Sequence, residues 1–395
     1  MKKQAKRLII VSNRLPIICQ ENPQGGWNIE PSGGGLVTAL DPVFKNRGGL
    51  WIGWPGTPDL DPKEIQAPLD EVSDGSGYGF IPVNLTQEER DNFYLGFSNE
   101  IIWPLFHDLQ TRCNFNPSFF KAYKVVNRKF AEVIAKNAGP QDLIWIHDYH
   151  LLEVASELRK LKVKSRLAFF LHIPFPSLDI FLKLPWRAEL MKGLMEFDVL
   201  GFQTQRDVRN FMQCVRMFVL PGLDRRVLKS THVHLIKKNQ REVALGSFPI
   251  SIDYQGFEDQ ASDPAIEKLA SKLREDLPNR TLIIGVDRLD YTKGIPYKLD
   301  AFRNVLERYP ELQGKITLVQ NVVPSREDID EYHDLRIEIE QLVGEINGQF
   351  THAGWVPIHY MFQNLDRQEL LAFYRMAKIA MVTPLKDGMN LVAKE

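Results

Sequence analysis

Arg288-Leu289-Asp290-Tyr291-Thr292-Lys293-Gly294 sets two cations five residues apart, just ahead of a helical pattern that Pro296 opens and Pro310 closes. A helix start offers unpaired N–H groups and a partial positive charge, so an added Arg and Lys make a pocket suited to a diphosphate. A solvated loop is the competing reading, and an isolated Arg–Lys pair favours it. The flanks argue otherwise. The apolar run Leu282 to Val286 stands before the motif and a helix after it. That places the cations at the carboxyl edge of a strand, where open α/β sheets bind ligands.

A second such edge closes the chain. Lys386-Asp387-Gly388-Met389-Asn390-Leu391-Val392-Ala393-Lys394-Glu395, dense in donors and carboxylates, follows the strand-like Ile379 to Thr383. Two more strand ends carry His147-Asp148-Tyr149-His150 and His172-Ile173-Pro174-Phe175-Pro176. A metal site is disfavoured there, since no further ligands with matching spacing lie nearby. Hydrogen bonding to a sugar fits better, with Asp148 and His172 converging from neighbouring strands; histidines that merely cap strands remain the alternative. Ser12-Asn13-Arg14 follows the first strand. Gly33-Gly34-Gly35 would let backbone approach a phosphate or sugar, yet a glycine run alone is more often a flexible turn. It does not match GxGxxG, which removes the main sequence argument for a dehydrogenase. Trp51, Trp54, Tyr94 and Trp103 could wall a sugar ring, and core filling competes for each.

Short apolar runs alternating with amphipathic helices must position these groups. Leu8 to Val11, Leu143 to Ile146, Leu167 to Leu171, Val199 to Phe202, Leu282 to Val286, Ile316 to Val319 and Ile379 to Val382 read as buried strands. The pattern predicts an α/β class with parallel sheets covered on both faces. Helical stripes are expected through Leu151, Ala155 and Leu158, through Phe302, Leu306 and Tyr309, and through Tyr332, Leu335, Ile339, Leu342 and Ile346. The basic, weakly periodic stretch Leu220 to Asn239 precedes an extended, proline-stiffened Phe248 to Asp253. A domain boundary is therefore expected near residue 248, giving domains 1–247 and 248–395.

The chain has 395 residues, 44% hydrophobic and 25% charged, enough for two cores. A net charge of -1 gives no field favouring nucleic acid or an anionic membrane, so any basic residues for polyanions should cluster at a site. Cys19, Cys113 and Cys214 are odd in number and widely spaced, which argues against a disulfide framework and fits a reducing cytoplasm. The basic start Met1 to Arg7 before Leu8 to Val11 superficially resembles a signal peptide, but Asn13 and Arg14 interrupt the apolar run. No uninterrupted apolar stretch is long enough to span a bilayer.

Seven segments together resemble one family: Val11 to Arg14, Ser32 to Leu36, Trp145 to Leu152, Phe170 to Pro176, Asp198 to Thr204, Arg288 to Gly294 and Asp387 to Glu395. The chain is similar, over its whole length and in the same motif order, to the trehalose-6-phosphate synthases, retaining glycosyltransferases of family 20. The resemblance implies the GT-B fold, two Rossmann-like domains facing across a cleft, with acceptor held mainly by the first and nucleotide sugar mainly by the second. It implies transfer of glucose from UDP-glucose to glucose 6-phosphate by front-face substitution. By motif position, Arg288 and Lys293 correspond to the diphosphate cations and Gly34 and Gly35 to glycines beside the donor phosphates. Leu365 corresponds to a backbone contact to uracil. Asp387 corresponds to a contact to the transferred glucose, and Gly388, Met389, Asn390, Leu391, Val392, Ala393, Lys394 and Glu395 to the nucleotide-sugar run, with Glu395 on the ribose. Arg14, Tyr94, Trp103 and Arg326 correspond to the acceptor site. Asp148 and His172 correspond to sugar contacts. No cofactor and no metal are implied, and a homo-oligomer is left open.

The family continues past the motif ending at Glu395, so an incomplete C-terminal domain is expected, with poor solubility or low activity for residues 1–395 alone. Two rival readings stand beside the main one. The first is the same fold with another acceptor, such as glycerol 3-phosphate or a pseudo-sugar phosphate. The second is a non-catalytic sugar-phosphate sensor, which intact Arg288, Lys293 and Asp387 weaken.

Overall fold

The computed structural model describes residues 7–22, 25–31, 36–37, 39–40, 44, 48–219, 225–228, 233–238, 241–278, 280–326 and 329–395. The chain divides into two compact units, Met1–Ile250 and Ser251–Glu395. Among the described residues no helix is long and apolar enough to cross a membrane.

The strands of the first unit are β1 (Leu8–Arg14), β2 (Ile17–Glu21), β3 (Trp27–Pro31), β4 (Gly49–Trp54), β5 (Gly79–Pro82), β6 (Leu143–His147), β7 (Arg166–Phe170), β8 (Val199–Phe202), β9 (Arg225–Leu228), β10 (Val233–Lys238) and β11 (Arg241–Ser247). Apart from the separate hairpin β2–β3, they form one sheet in the order β5-β4-β1-β6-β7-β8-β11-β10-β9. Ile9, Ile10 and Val11 at its centre are fully buried, as the unbroken apolar run requires. Each such side chain contributes about 1.5–3 kcal/mol of burial. The sheet departs from the all-parallel expectation at one end, where β10 pairs antiparallel with both β11 and β9. Short connections allow antiparallel pairing where a parallel crossover would not fit. The interspersed charges of this stretch, which hid its strand pattern, suit a sheet edge.

The chain runs outward from β1 through β4 to β5, then returns to β1's other side at β6 and proceeds to β7 and β8. The order of strands thus reverses between β1 and β6, and a crevice opens at their carboxyl ends. Arg14 ends β1 and Asp148 follows β6.

The second unit repeats this logic on a smaller scale. Strands β12 (Thr281–Arg288), β13 (Ile316–Val323), β14 (Ile358–Phe362) and β15 (Ile379–Ala380) lie in the order β14-β13-β12-β15, all parallel. Here the reversal falls between β12 and β15. Arg288 ends the first of these strands, and the Lys386 to Glu395 run follows the second. β15 is an edge strand, and Ile379 on it is 49% exposed.

The helix Ile295–Arg308 starts where expected, with Gly294 as its N-cap in the left-handed region (φ 63°) and a proline in its first turn. A Cβ on Gly294 would meet the Thr383 carbonyl at 2.6 Å, so glycine also lets the two loops of this edge close together. The helix buries Ile295, Leu299, Phe302 and Leu306. Tyr309, read as part of that stripe, is exposed instead, because the helix ends at Arg308 and the backbone leaves helical geometry at residue 309. The helix Asp330–Phe350 buries Tyr332, Leu335, Ile339, Val343 and Ile346, with Leu342 half-buried beside them.

Candidate active site

At the first crevice, β1 carries an irregularity between Val11 and Arg14 that shifts its register against β4. Such bulges re-aim a side chain at a sheet rim. The Arg14 guanidinium lies 4.8 Å from the centre of the Trp54 ring, in cation–π contact. It also crosses Gly56, where a Cβ would stand 1.9 Å from Arg14 Nη2 and where φ is 108°. Gly56 is therefore required twice, for its backbone and for the space it leaves. Sequence reasoning missed it because nothing local to Pro55-Gly56-Thr57 reveals an arginine arriving from another strand.

Tyr94 sits 6.0 Å from Trp54 and stacks on His150, and His150 in turn meets Tyr149 at 3.9 Å, which contacts Trp103. One continuous aromatic wall thus joins Arg14, Tyr94 and Trp103. Tyr94 projects from a π-helical segment, Arg90–Ile102, a geometry that recurs at functional sites. That segment is tied to the strand-end loop after β6 by Tyr149, whose hydroxyl donates to Asn99 Oδ1 at 3.0 Å, while Asn99 Nδ2 donates to the Tyr94 carbonyl. Trp51, by contrast, is fully buried and donates its indole N–H to Ser12 Oγ, a core role.

Asp148 has φ 73°, left-handed backbone that a non-glycine residue seldom adopts. Its amide donates to the Phe170 carbonyl, and its carboxylate accepts from the His172 amide at 3.2 Å. The predicted pair therefore does meet, through backbone and carboxylate rather than ring and carboxylate. The ring of His172 lies instead against His147, with His172 Nε2 3.0 Å from His147 Nδ1. Burial pushes the His172 imidazole down to about 4 and holds His147 well below its ordinary range, so both are neutral at neutral pH. His147 is a partner sequence reasoning noted in its motif without assigning it a role.

The second crevice is built from ions. Lys293 Nζ meets Asp387 Oδ2 at 2.5 Å, joining the loops after β12 and β15. Asp387 also accepts from the Gly388 amide, and the Leu385 amide donates to the Thr292 carbonyl. Arg288 is half-exposed, 3.9 Å from the Asp290 carboxylate. Beneath them Lys298 and Asp287 form a fully buried ion pair, and Gln320 Nε2 donates to the same Asp287 oxygen. A buried pair of this kind requires such extra hydrogen bonds. In the terminal run, Asn390 Oδ1 accepts from the Ala393 amide and Glu395 accepts from the Tyr374 hydroxyl at 2.8 Å. Leu365 lies in the loop between β14 and the helix Arg367–Met376.

The structure thus brings together Arg14, Tyr94 and Trp103; separately Asp148 and His172; and separately Arg288, Lys293, Arg326, Asp387 and the residues after it. Arg326 belongs to the second unit, where its Nη1 donates to the Tyr332 hydroxyl at 2.6 Å. Gly34 and Gly35 lie outside the described residues. Among the described residues no three His, Cys, Asp or Glu side chains could hold a metal ion together.

Comparison with known proteins agrees with this arrangement. The model of glycosyltransferase family 20 matches residues 6–395. An α,α-trehalose-phosphate synthase [UDP-forming] A of Dictyostelium discoideum is 40% identical over 392 residues, covering 98% of this chain and 51% of that protein. The chain therefore spans about half the length of that relative. An α,α-trehalose-phosphate synthase [UDP-forming] of Schizosaccharomyces pombe is 41% identical over 399 residues, covering 99% of this chain and 75% of its own. Among solved structures, an α,α-trehalose-phosphate synthase (UDP-forming) from Burkholderia xenovorans in complex with glucose 6-phosphate superimposes with a TM-score of 0.85 at 32% identity, covering 98% of this chain and 81% of that one. The α/β fold is accordingly of the GT-B type. Two strand-order reversals, a cationic edge after β12 and a match across nearly every residue leave one assignment: the chain belongs to glycosyltransferase family 20, with the trehalose-phosphate synthases.

Proposed function

We propose that this chain transfers glucose from UDP-glucose to glucose 6-phosphate with retention, releasing UDP and trehalose 6-phosphate. The observation that carries the reading is the convergence of Arg288 and Lys293 at the β12/β15 reversal, beside Asp387. Leaving of UDP builds negative charge on the diphosphate and positive charge on the anomeric carbon. Fixed cations aimed at that diphosphate stabilise the transition state more than the ground state, each by about 2–4 kcal/mol by analogy with an oxyanion donor. Because Lys293 already pairs with Asp387, an arriving diphosphate exchanges for that carboxylate, which then turns to a hydroxyl of the transferred glucose. Gly388 to Glu395 line the nucleotide sugar, with Leu365 near the base and Gly34 and Gly35 near the donor phosphates.

In the first unit, Arg14 and the Tyr94–Trp103 wall take the acceptor, and Asp148 and His172 take sugar hydroxyls. A neutral His172 suits that task, since it offers one donor and one acceptor nitrogen. Arg326, from the second unit, takes the acceptor's phosphate. The acceptor's attacking hydroxyl gives its proton to the departing phosphate oxygen, so no protein carboxylate forms a bond to the sugar. Free Cys19, Cys113 and Cys214 fit a reducing, cytoplasmic setting.

The test incubates the protein with UDP-glucose and follows UDP release with glucose 6-phosphate or with glycerol 3-phosphate. Release that depends on glucose 6-phosphate supports the proposal. Release only with glycerol 3-phosphate reassigns the acceptor, and binding of glucose 6-phosphate without release makes the protein a sensor.

A further inference from the structure

The parallel register of β12 and β13 sets Arg288 beside Val323, and the Leu289 amide donates to the Val323 carbonyl at 2.8 Å. The loops that leave these strands therefore start abreast. Asp290 lies on one and Arg326 on the other. The Asp290 side chain is only 1% exposed. Its Oδ1 accepts from the Thr292 amide at 2.9 Å and from Thr292 Oγ1 at 2.8 Å, which locks the carboxylate plane. Its Oδ2 lies 3.9 Å from Arg288 Nη2 and 3.7 Å from Arg326 Nη1. Both separations are within ion-pair reach and beyond direct hydrogen-bond distance, so the carboxylate attracts two guanidinium groups without taking those nitrogens as hydrogen-bond partners.

Arg326 carries independent marks of an enforced position. Its backbone has φ 52°, which a long side chain rarely adopts, and its guanidinium is held by the buried Tyr332 through both the hydroxyl and the ring face, 5.6 Å away. Backbone strain of this kind, about 1–3 kcal/mol, persists only where surrounding contacts over-determine it.

We propose that Asp290 is a positioning residue that holds Arg288 and Arg326 at a set spacing and so ties the donor-diphosphate and acceptor-phosphate subsites to each other. The tie rests on the functional reading above, which places Arg288 on the donor and Arg326 on the acceptor. Asp290 itself, almost wholly buried, touches neither substrate. Because one carboxylate serves both guanidinium groups, loss of either changes how strongly the other is held, and the two subsites become energetically linked.

Calorimetric titration of UDP and of glucose 6-phosphate, each alone, decides the matter on the parent, Asp290→Asn, Arg326→Met and the double variant. Asp290→Asn keeps an acceptor for Thr292 and removes the charge. It should weaken both ligands about tenfold, a size typical of linked sites. Arg326→Met should weaken UDP about fivefold when Asp290 is present and by less than about twofold in the Asp290→Asn background. Should Asp290→Asn fail to fold, Thr292→Val replaces it: that change touches neither arginine, yet by unlocking the carboxylate it should weaken both ligands about threefold. If Arg326→Met changes UDP binding by the same factor with and without Asp290, or if Thr292→Val leaves both ligands unaffected, the tie is wrong. A parent that binds neither ligand overturns the functional reading and the tie together; a parent that binds both while the variants behave additively overturns the tie alone.

Discussion

The crevice at β1/β6 and the crevice at β12/β15 have the same topological origin and opposite chemistry. The first is walled by aromatic rings and by two neutral histidines, with Arg14 as its cation lying across Trp54 and Gly56. The second is held by Lys293–Asp387, by Asp290 between Arg288 and Arg326, and by Lys298–Asp287 below. The contrast extends to the buried carboxyls. Glu153, shortly after β6, has Oε1 without a hydrogen-bond partner and packs closely against Gly193, and burial pushes it up to about 7. Asp287 is buried as deeply but faces a lysine. A sugar ring needs shape and neutral hydrogen bonding, whereas a departing diphosphate needs fixed charge, and fixed charge in a protein interior needs its own counter-ions.

The largest expected effect tests the charged crevice directly. An Arg288→Ala, Lys293→Ala double variant should lose about 10³-fold or more in kcat/KM, from two contacts of the size given above. Steady-state UDP release measures it, and turnover near that of the parent would dissolve the contrast between the crevices. Next, Lys298→Met strands a buried carboxylate and should cost about 3–5 kcal/mol of stability in urea unfolding, while Lys298→Met with Asp287→Leu should recover most of it. A double variant no more stable than the single one would mean that the pair is not the source of the loss.

The smallest effect concerns Glu153 and depends on pH. Its folded value, about 7, lies above the ordinary 4.5, so the folded state holds a proton that the unfolded state releases. Whatever stability this proton confers is fully present below pH 4.5 and is lost as pH rises towards 7. Glu153→Gln should therefore be more stable than the parent above pH 7, by at most about 3 kcal/mol, with the gain shrinking to nothing near pH 4.5. Melting curves at pH 5 and pH 8 check it. An equal offset at both would show that Glu153 is not titrating in this range.

Much of this was legible in the chain. Continuous apolar runs such as Leu8–Val11 and Ile316–Val319 announced buried parallel strands, because a strand covered on both faces has no polar side to reveal. The Arg288–Gly294 motif showed its own loop, since Gly294 and Pro296 mark a helix start locally. The antiparallel β9–β10 edge was not readable, because its alternation is broken by lysines and arginines suited to an edge. Trp51 and Trp54 could not be told apart from sequence: one fills the core and the other carries Arg14, a difference made by Gly56 and by a register shift in β1.

The sequence alone determined which residues could do chemistry and at which strand ends they stand, because residue type and local periodicity are properties of neighbouring positions. Only the tertiary structure decided their partners. Asp290 with Arg326, Lys293 with Asp387 and His147 with His172 are each joined by strand order and register. Whether a charge or an imidazole works depends on those partners and on burial, which no local stretch of chain encodes.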